Sequence, residues 1–173
     1  VIGAMGIGVL AIERPYLMSR FTTFLNPGQN SLTSGYQIEQ SLIAIGSGGL
    51  TGRGFGQSIQ KFSYLPEPQG DSIFAVIGEE FGFIGSVTTI LLYLLFSMRG
   101  LWIARRSPDV FSGLLASGLV ILITLQSLMN IASITGLFPL TGVPLVFMSQ
   151  GGTSLLVSLA SVGIILGISK NRK

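Results

Sequence analysis

The sequence predicts an all-α integral membrane protein, and three observations carry that prediction. Apolar residues make up 48% of the 173-residue chain, whereas charged residues make up only 10%. A soluble domain usually carries about a quarter charged residues, so this composition lies outside the soluble class. The apolar residues are also gathered into segments long enough to cross a bilayer. We therefore expect a polytopic helical bundle.

Four apolar segments are expected to enter or cross the membrane. Residues 1–12 would span about 18 Å as a helix, which is short of the roughly 30 Å hydrocarbon core, so we expect the end of a truncated membrane helix. Complete membrane helices are expected at 73–98, 111–133 and 153–169. The chain is accordingly expected to be a fragment of a longer protein.

A long polar segment, residues 13–72, separates the first two of these helices and is interpreted as an extracytoplasmic loop. Inside it, Ile38, Leu42 and Ile45 recur at the spacing of one helical face, which predicts a short amphipathic helix. Such a helix would lie on the membrane surface or pack on the bundle.

The basic residues set the expected topology. Six of the ten lysines and arginines lie in the loop 99–110 and the tail 170–173, and the positive-inside rule makes both segments cytoplasmic. The segment 134–152 then lies on the outer side with the long loop. It is apolar but broken by prolines and glycines, which predicts irregular backbone that re-enters the membrane or lines a wet cavity.

The residue types that are missing narrow the chemistry. The chain contains no histidine and no cysteine, which excludes imidazole acid–base catalysis, thiol nucleophiles, disulfides and thiolate zinc sites. Proton transfer must then fall to a carboxylate, a lysine or a tyrosine. A net charge of +3 is too small and too scattered to indicate a nucleic-acid partner, so membrane lipid is the expected surrounding.

Four of the seven acidic residues fall between positions 64 and 85, namely Glu67, Asp71, Glu79 and Glu80. A carboxylate at the mouth of a membrane helix is costly to keep unless it faces a cavity, a partner or a substrate. Asp71 is the leading candidate, because the preceding prolines restrict its backbone and a partly desolvated carboxylate can act as a general base. The alternative is that Asp71 is the N-cap of the next helix.

Glu79 and Glu80 lie about 12 Å further along that helix, beside the small-residue stripe Gly78, Gly82 and Gly85, which would let a neighbouring helix approach. Adjacent glutamates project about 100° apart. We therefore expect one to bond a buried polar group and the other to face an outward pocket, which favours a structural role over direct catalysis.

Arg53 and Lys61 are the basic residues nearest to this acidic cluster on the outer side. A glycine-flanked arginine suits phosphate recognition through bidentate hydrogen bonds and exposed backbone N–H groups. The alternative is a solvated charge or a contact with a lipid headgroup.

Two further pairs of polar side chains follow. Ser149 and Gln150 would supply a polar edge to the irregular segment 134–152. Gln126 and Asn130 are four residues apart and share a helix face, which favours hydrogen bonding between helices over a ligand site.

Several short segments follow one another in uninterrupted order from about residue 14 to the last predicted helix. They are Arg14-Pro-Tyr, Arg20-Phe-Thr-Thr-Phe-Leu-Asn-Pro27, Ser34-Gly-Tyr-Gln37, Gly54-Phe-Gly-Gln-Ser-Ile-Gln-Lys61, Leu65-Pro-Glu-Pro68, Asp71-Ser-Ile-Phe-Ala-Val-Ile-Gly-Glu-Glu80, Gly142-Val-Pro-Leu and Ser149-Gln-Gly-Gly-Thr-Ser154. Together they resemble the FtsW/RodA/SpoVE group, the SEDS family (shape, elongation, division and sporulation), and they are closest to its FtsW-like division branch.

The resemblance implies a ten-helix fold, of which this chain would be the C-terminal part and would be inactive alone. It implies an enzyme that polymerises lipid II into peptidoglycan glycan strands at the outer face of the bacterial cytoplasmic membrane. A class B penicillin-binding protein and other division proteins would be its partners. The family's essential aspartate maps onto Asp71, which would be the general base.

The other candidate side chains are assigned roles around Asp71 from their residue types and positions. Those expected to contact the substrate or its pyrophosphate are Lys61, Arg53, Glu67, Ser149 and Gln150. Those expected to support the site are Glu79 and Glu80. A divalent cation, magnesium or manganese, is an alternative source of positive charge. Two other functions remain open here: a flippase or transporter for lipid-linked precursors, and a non-catalytic division scaffold.

Overall fold

The computed structural model describes residues 34–170, and every regular element in that part of the chain is a helix. The elements are α1 (Ser34–Ser47), α2 (Gln60–Ser63), α3 (Ile73–Arg105), α4 (Val110–Ile134) and α5 (Gly152–Lys170). The all-α prediction is therefore confirmed. The predicted helix end at 1–12 and most of the tail at 170–173 lie outside the described residues.

Helices α3, α4 and α5 are each long and apolar enough to cross a bilayer, with a mean hydropathy of 1.9 in the most apolar part of each. Helices α3 and α4 pack along each other, α5 contacts both, and α1 lies against α3. The side chains left exposed on the long helices are largely leucine, isoleucine, valine and phenylalanine. Such surfaces suit hydrocarbon rather than water, as expected for a multi-pass membrane protein.

Helix α3 continues to Arg105 instead of ending at 98, which shortens the following loop to four residues, 106–109. No glycine–proline break stops the helix, and Arg99 and Arg106 both stack on the ring of Trp102 across its last two turns. Asp109 then caps α4, accepting a hydrogen bond from the Ser112 N–H at 2.9 Å.

Gly82 interrupts α3 with φ 65° and ψ −158°, a backbone conformation open only to glycine. A break of this kind frees backbone carbonyls before it and N–H groups after it. Such groups are costly at membrane depth unless the protein satisfies them. The glycine-rich loop 48–54 supplies hydrogen-bond partners for these groups, because it lies directly against the break.

Four backbone hydrogen bonds join the loop to the break, two in each direction. They run from the N–H groups of Arg53 and Gly54 to the carbonyls of Glu79 and Glu80, and from the N–H groups of Phe83 and Ile84 to the carbonyls of Gly49 and Leu50, at 2.9–3.2 Å. The loop must be glycine where it touches the helix, because a Cβ at position 52 would overlap backbone atoms of residues 80 and 81. The stripe at Gly82 thus receives a loop, not the neighbouring helix that its spacing predicted.

Helix α1 packs on the bundle through small side chains. Ser41 and Ala44 are fully buried and Ile38 nearly so, whereas Leu42 is 46% exposed. The predicted face is therefore wrong at Leu42. Small residues line the buried face because α1 approaches α3 closely: a Cβ at Gly78 would already lie 3.0 Å from the Ile45 side chain.

The segment between α4 and α5 has irregular backbone and descends into the bundle. The hydroxyl of Tyr93, far along α3, donates a hydrogen bond to the carbonyl of Val146. Leu145 and Val146 are almost completely buried. The Ser133 hydroxyl donates to the Pro139 carbonyl at 3.1 Å. This packing satisfies backbone groups that have no helical partner, as irregular chain at membrane depth requires.

Candidate functional site

The candidate site lies where three parts of the chain meet: the loop that precedes α3, the end of α4, and the irregular segment that follows α4. Asp71 occupies the last position before Ser72, which is the N-cap residue of α3. The alternative that Asp71 itself is the N-cap is therefore wrong. Asp71 is partly exposed, so the residue is neither sealed in the core nor fully solvated.

Asn130 places Asp71 through its main chain. The side-chain amide of Asn130 donates to the carbonyl of Asp71 at 2.9 Å and to the carbonyl of Val143 at 2.7 Å. Asn130 is buried, and its Oδ1 has no hydrogen-bond partner among the described residues. One amide thus ties the loop before α3 to the segment after α4, where sequence analysis expected a bond between helices.

Ser149 and Gln150 lie in the same assembly and hold the Asp71 loop in place. The hydroxyl of Ser149 accepts from the Leu145 N–H at 2.7 Å and donates to the Gly70 carbonyl at 2.8 Å. The N–H of Gln150 donates to the Gln69 carbonyl at 2.7 Å. These contacts attach both residues to the loop that carries Asp71. The Ser149 hydroxyl already has two backbone partners, one donor and one acceptor.

Ser72 fastens the same loop from the opposite side. Its hydroxyl donates to the Pro66 carbonyl and accepts from the Gln37 side chain of α1, both at 3.0 Å. Asp71 is thus held by Asn130 through its own carbonyl and by bonds to both neighbouring residues. A carboxylate on so constrained a backbone is well placed for chemistry that needs a fixed position.

Glu67 lies on the exposed part of this loop, in a left-handed conformation with φ 47°. Its carbonyl accepts from the N–H groups of Gly70 and Ser72 at 3.1 and 3.3 Å. A positive φ is uncommon for a residue with a side chain and tends to persist where surrounding contacts impose it. The turn keeps the Glu67 side chain on the surface close to Gly70.

Glu79 is completely buried and anchors the start of α2. Its carboxylate accepts from the Ser58 hydroxyl at 2.6 Å and from the Ile59 and Gln60 N–H groups at 3.0 and 3.3 Å. The guanidinium of Arg53 lies 3.6 Å away. A buried carboxylate is tolerated when donors and a positive charge surround it in this way, so Glu79 organises the loop that leads to α2.

Glu80 pairs with Lys61 at 3.2 Å. Both glutamates therefore face the loop between α1 and α3, and each has a basic partner. Arg53 and Lys61 keep part of their side chains exposed, 37% and 28% respectively. Neither is the isolated solvated charge considered as the alternative, because each is held by a carboxylate.

An apolar groove of about 520 Å³ follows the outer face of α3. Its wall includes Phe81, Gly85, Thr89 and Met148, and a second hollow of about 210 Å³ shares Thr89 and Met148 with it. Met148 is adjacent to Ser149, which bonds the loop that carries Asp71. The groove thus runs along α3 and reaches the segment that holds the Asp71 loop.

Most of these residues could be selected from the sequence, but two connections between them could not. The loop 48–54 satisfies the break at Gly82, and Asn130 bonds two loops. The contact between the loop and the break was indicated in the sequence by the many glycines from 46 to 56 and by the glycine stripe of α3. The two hydrogen bonds of Asn130 had no such indication, because a sequence does not show which carbonyls an amide will contact.

The whole chain, residues 1–173, matches the family model of FtsW/RodA/SpoVE cell cycle proteins. It is 47% identical over 170 residues to stage V sporulation protein E of Bacillus subtilis (strain 168), covering 98% of this chain and 46% of that relative. It is 44% identical over 164 residues to a protein of Geobacter sp. (strain M18) named probable peptidoglycan glycosyltransferase FtsW, covering 95% and 45%. The chain spans about half the length of the curated relatives it matches.

One solved structure is similar throughout the chain. It comes from work on the structural coordination of polymerization and crosslinking by a peptidoglycan synthase complex. The TM-score is 0.76 at 26% identity, and the match covers 99% of this chain and 48% of that one.

Proposed function

This chain belongs to the FtsW/RodA/SpoVE family, and from that premise we propose that the protein is a peptidoglycan glycosyltransferase. It would polymerise lipid II at the outer face of the bacterial cytoplasmic membrane during cell division. Relatives named peptidoglycan glycosyltransferase support the activity. The observation that carries the proposal is the placement of Asp71, which is partly exposed on a backbone held by Asn130 at 2.9 Å.

In the proposed reaction Asp71 acts as the general base. It takes the proton from the 4-hydroxyl of the acceptor N-acetylglucosamine, and that oxygen attacks the anomeric carbon of the donor N-acetylmuramic acid. The bond to undecaprenyl pyrophosphate breaks as the new bond forms, so the anomeric configuration is inverted. General-base catalysis of this kind contributes about 10²–10⁴ in rate.

The surroundings of Asp71 suit a polyprenyl-linked substrate. The apolar groove beside Met148 offers a path for a lipid tail at the side of the bundle. The exposed Glu67 and the side chain of Gln150 lie on the same loops as Asp71 and are proposed to contact the sugar portion. A tail that stays in hydrocarbon while the sugars meet Asp71 requires a site at the membrane surface.

The leaving pyrophosphate needs positive charge as it departs. Lys61 and Arg53 are the proposed source, since both remain partly exposed while paired with glutamates. Within residues 34–170 no group of three or more acidic side chains is placed to hold a metal ion. A divalent cation, magnesium or manganese, is the alternative source of that positive charge.

The proposal extends to orientation and partners. The end of the bundle that carries Arg99, Arg105 and Arg106 would be cytoplasmic under the positive-inside rule, and the C-terminus would lie on that side. The solved relative belongs to a synthase complex that couples polymerization to crosslinking, which supports a class B penicillin-binding protein as partner. Other division proteins would join the same complex.

Transport of a lipid-linked precursor is a second candidate, and one observation favours it. Secondary transporters use interrupted helices and irregular backbone near a central site, and the break at Gly82 is of that type. A transporter would move the lipid across a vesicle membrane without forming glycan. Polymerisation of lipid II by the purified protein and its synthase partner therefore separates the two candidates.

The assignment of the base is tested with Asp71→Asn in the full-length protein, by following glycan formation from lipid II. We expect at least a hundredfold loss of polymerisation with unchanged expression and thermal stability, in line with the contribution of a general base. Glu39→Gln, which removes an exposed carboxylate from α1, is the matched control and should leave the rate unchanged. Near-normal polymerisation by a correctly folded Asp71→Asn protein would exclude the assignment.

A further inference from the structure

The basic residues of the described chain divide into two classes. The pair on the loop between α1 and α3, Arg53 and Lys61, is held in ion pairs by the buried Glu79 and Glu80. The others have no carboxylate within ion-pair distance among residues 34–170, and all lie at the opposite end of the bundle. We call them the basic cluster: Arg99, Arg105, Arg106 and Lys170.

Trp102 organises part of this cluster. The guanidinium carbons of Arg99 and Arg106 lie 4.4 and 4.2 Å from the centre of its ring. Stacking holds a guanidinium in place while its N–H groups stay available to an anion. Trp102 and Ile168 both pack against the apolar cluster of Ile103, Val120 and Ile165, so the end of α5 lies in the same region.

A groove of about 270 Å³ lies beside the cluster, between the last turns of α3 and the first turns of α4. Leu101 and Ala104 form its apolar wall, and Arg105 and Ser117 supply polar groups. Gly113 keeps this wall close to the end of α3, because a Cβ there would lie 2.7 Å from the Ser107 hydroxyl and 3.1 Å from the Ala104 carbonyl oxygen and would displace the Ser107 side chain. The groove therefore combines an apolar wall with the positive charge of Arg105.

The nearby acid does not neutralise the cluster. Asp109 is the acidic residue of the loop that follows α3, and its two carboxylate oxygens accept from the N–H and the hydroxyl of Ser112 at 2.9 and 2.8 Å. It makes no ion pair with the described arginines. The end of the bundle consequently keeps its positive charge.

We propose that the basic cluster binds the phosphodiester of an anionic phospholipid in the adjacent leaflet. Three observations select this ligand. The cluster ends helices that are able to cross a bilayer, where headgroups lie. A tryptophan beside arginines is typical of the membrane interface, and unpaired basic residues there attract anionic lipid. The proposal is independent of the glycosyltransferase activity.

Trp102 is the only tryptophan in this chain and reports on its neighbours directly. The full-length protein, with any other tryptophan replaced by phenylalanine, is placed in nanodiscs of phosphatidylcholine with a minor fraction of phosphatidylglycerol. In one preparation only the phosphatidylglycerol carries brominated chains, which quench tryptophan fluorescence. In the other, an equal fraction of phosphatidylcholine carries them. We expect stronger quenching by brominated phosphatidylglycerol.

The double variant Arg105→Gln/Arg106→Gln should lose most of the preference for phosphatidylglycerol, since each basic residue near a membrane changes lipid affinity about fivefold. Arg105→Lys with Arg106→Lys keeps the charge and should keep most of the preference. Equal quenching by both brominated lipids would overturn the proposal, as would a preference that survives in the glutamine variant. Loss of the preference on adding inorganic phosphate at constant ionic strength would identify a soluble-anion site instead and also overturn it.

Discussion

Replacing Asn130 with leucine removes the amide that ties Asp71 to the segment after α4, while conserving most of the side-chain volume. Two partly buried carbonyls, those of Asp71 and Val143, lose their donor. Each such loss costs about 1–3 kcal/mol. Leucine also removes the buried Oδ1 of Asn130, which has no hydrogen-bond partner in the described chain. Removing that unsatisfied atom stabilises the variant by about as much as one lost carbonyl bond destabilises it. The expected net loss of unfolding free energy is about 1–3 kcal/mol.

Activity should fall by more than this loss of stability explains, because the freed Asp71 backbone no longer holds the carboxylate in one position. Displacement of a catalytic group by about 1 Å can cost on the order of a hundredfold in rate. The assays are chemical denaturation in detergent and polymerisation of lipid II at a temperature where the variant is fully folded. The substrate KM should change less than kcat.

Gln126→Leu is the matched control on the same helix. Its amide lies 3.5 Å from the Pro144 carbonyl, at the limit of a hydrogen bond, so the substitution should change stability and rate little. If Asn130→Leu were as stable and as active as the unmodified protein, or if Gln126→Leu cost as much, the inferred role of Asn130 would be refuted.

Three further predictions follow from the fold. Gly82→Ala should destabilise the protein by at least about 1–3 kcal/mol, because φ is 65° and a Cβ would lie 2.7 Å from the Leu50 carbonyl oxygen; denaturation should show no such loss for Gly118→Ala, where a Cβ meets open space. Hydrogen bonds from the Ser112 N–H and hydroxyl hold the pKa of Asp109 below its usual 3.8. The stability that Asp109 contributes should therefore be complete above pH 3.8 and disappear as the pH falls through the lower folded pKa; equal acid dependence of the unmodified protein and Asp109→Asn would contradict this. If Lys61 contacts the pyrophosphate, Lys61→Gln should lower kcat more than Glu80→Gln does. Equal effects of the two substitutions that do not add in the double variant would show that Lys61 acts only as the ion-pair partner of Glu80.

The fold class was predictable because it depends on properties that are local in the chain. Long apolar segments demand helices wherever the backbone must bond within itself at membrane depth, and α3, α4 and α5 are all found near their expected positions. The irregular segment after α4 was predictable for the complementary reason, since its prolines cannot continue a helix. The end of α3 was missed because the helix continues past its apolar part to Arg105, through a stretch in which Arg99 stacks on Trp102.

The candidate site was predictable only as a set of side chains. Asp71 was selected from its place after a proline-rich loop, and the structure finds it there and partly exposed. Arg53 and Lys61 were assigned to phosphate recognition, and nothing in their sequence positions indicated that Glu79 and Glu80 would pair with them. Those pairs depend on the loop 48–61 folding back on α3, which brings together residues 26 and 19 positions apart.

The sequence by itself determined that this protein is a helical membrane protein of the FtsW/RodA/SpoVE family with an acidic group at the mouth of a helix, because hydropathy and motif order are written along the chain. Only the tertiary structure decided how that group is held. The closing of the Gly82 break by a glycine loop and the bonding of two loops by Asn130 arise from backbone groups that must find partners away from water. Which partners they find is a property of three-dimensional packing: glycines in the loop and in α3 mark where the backbone can be approached closely, but not which groups approach it.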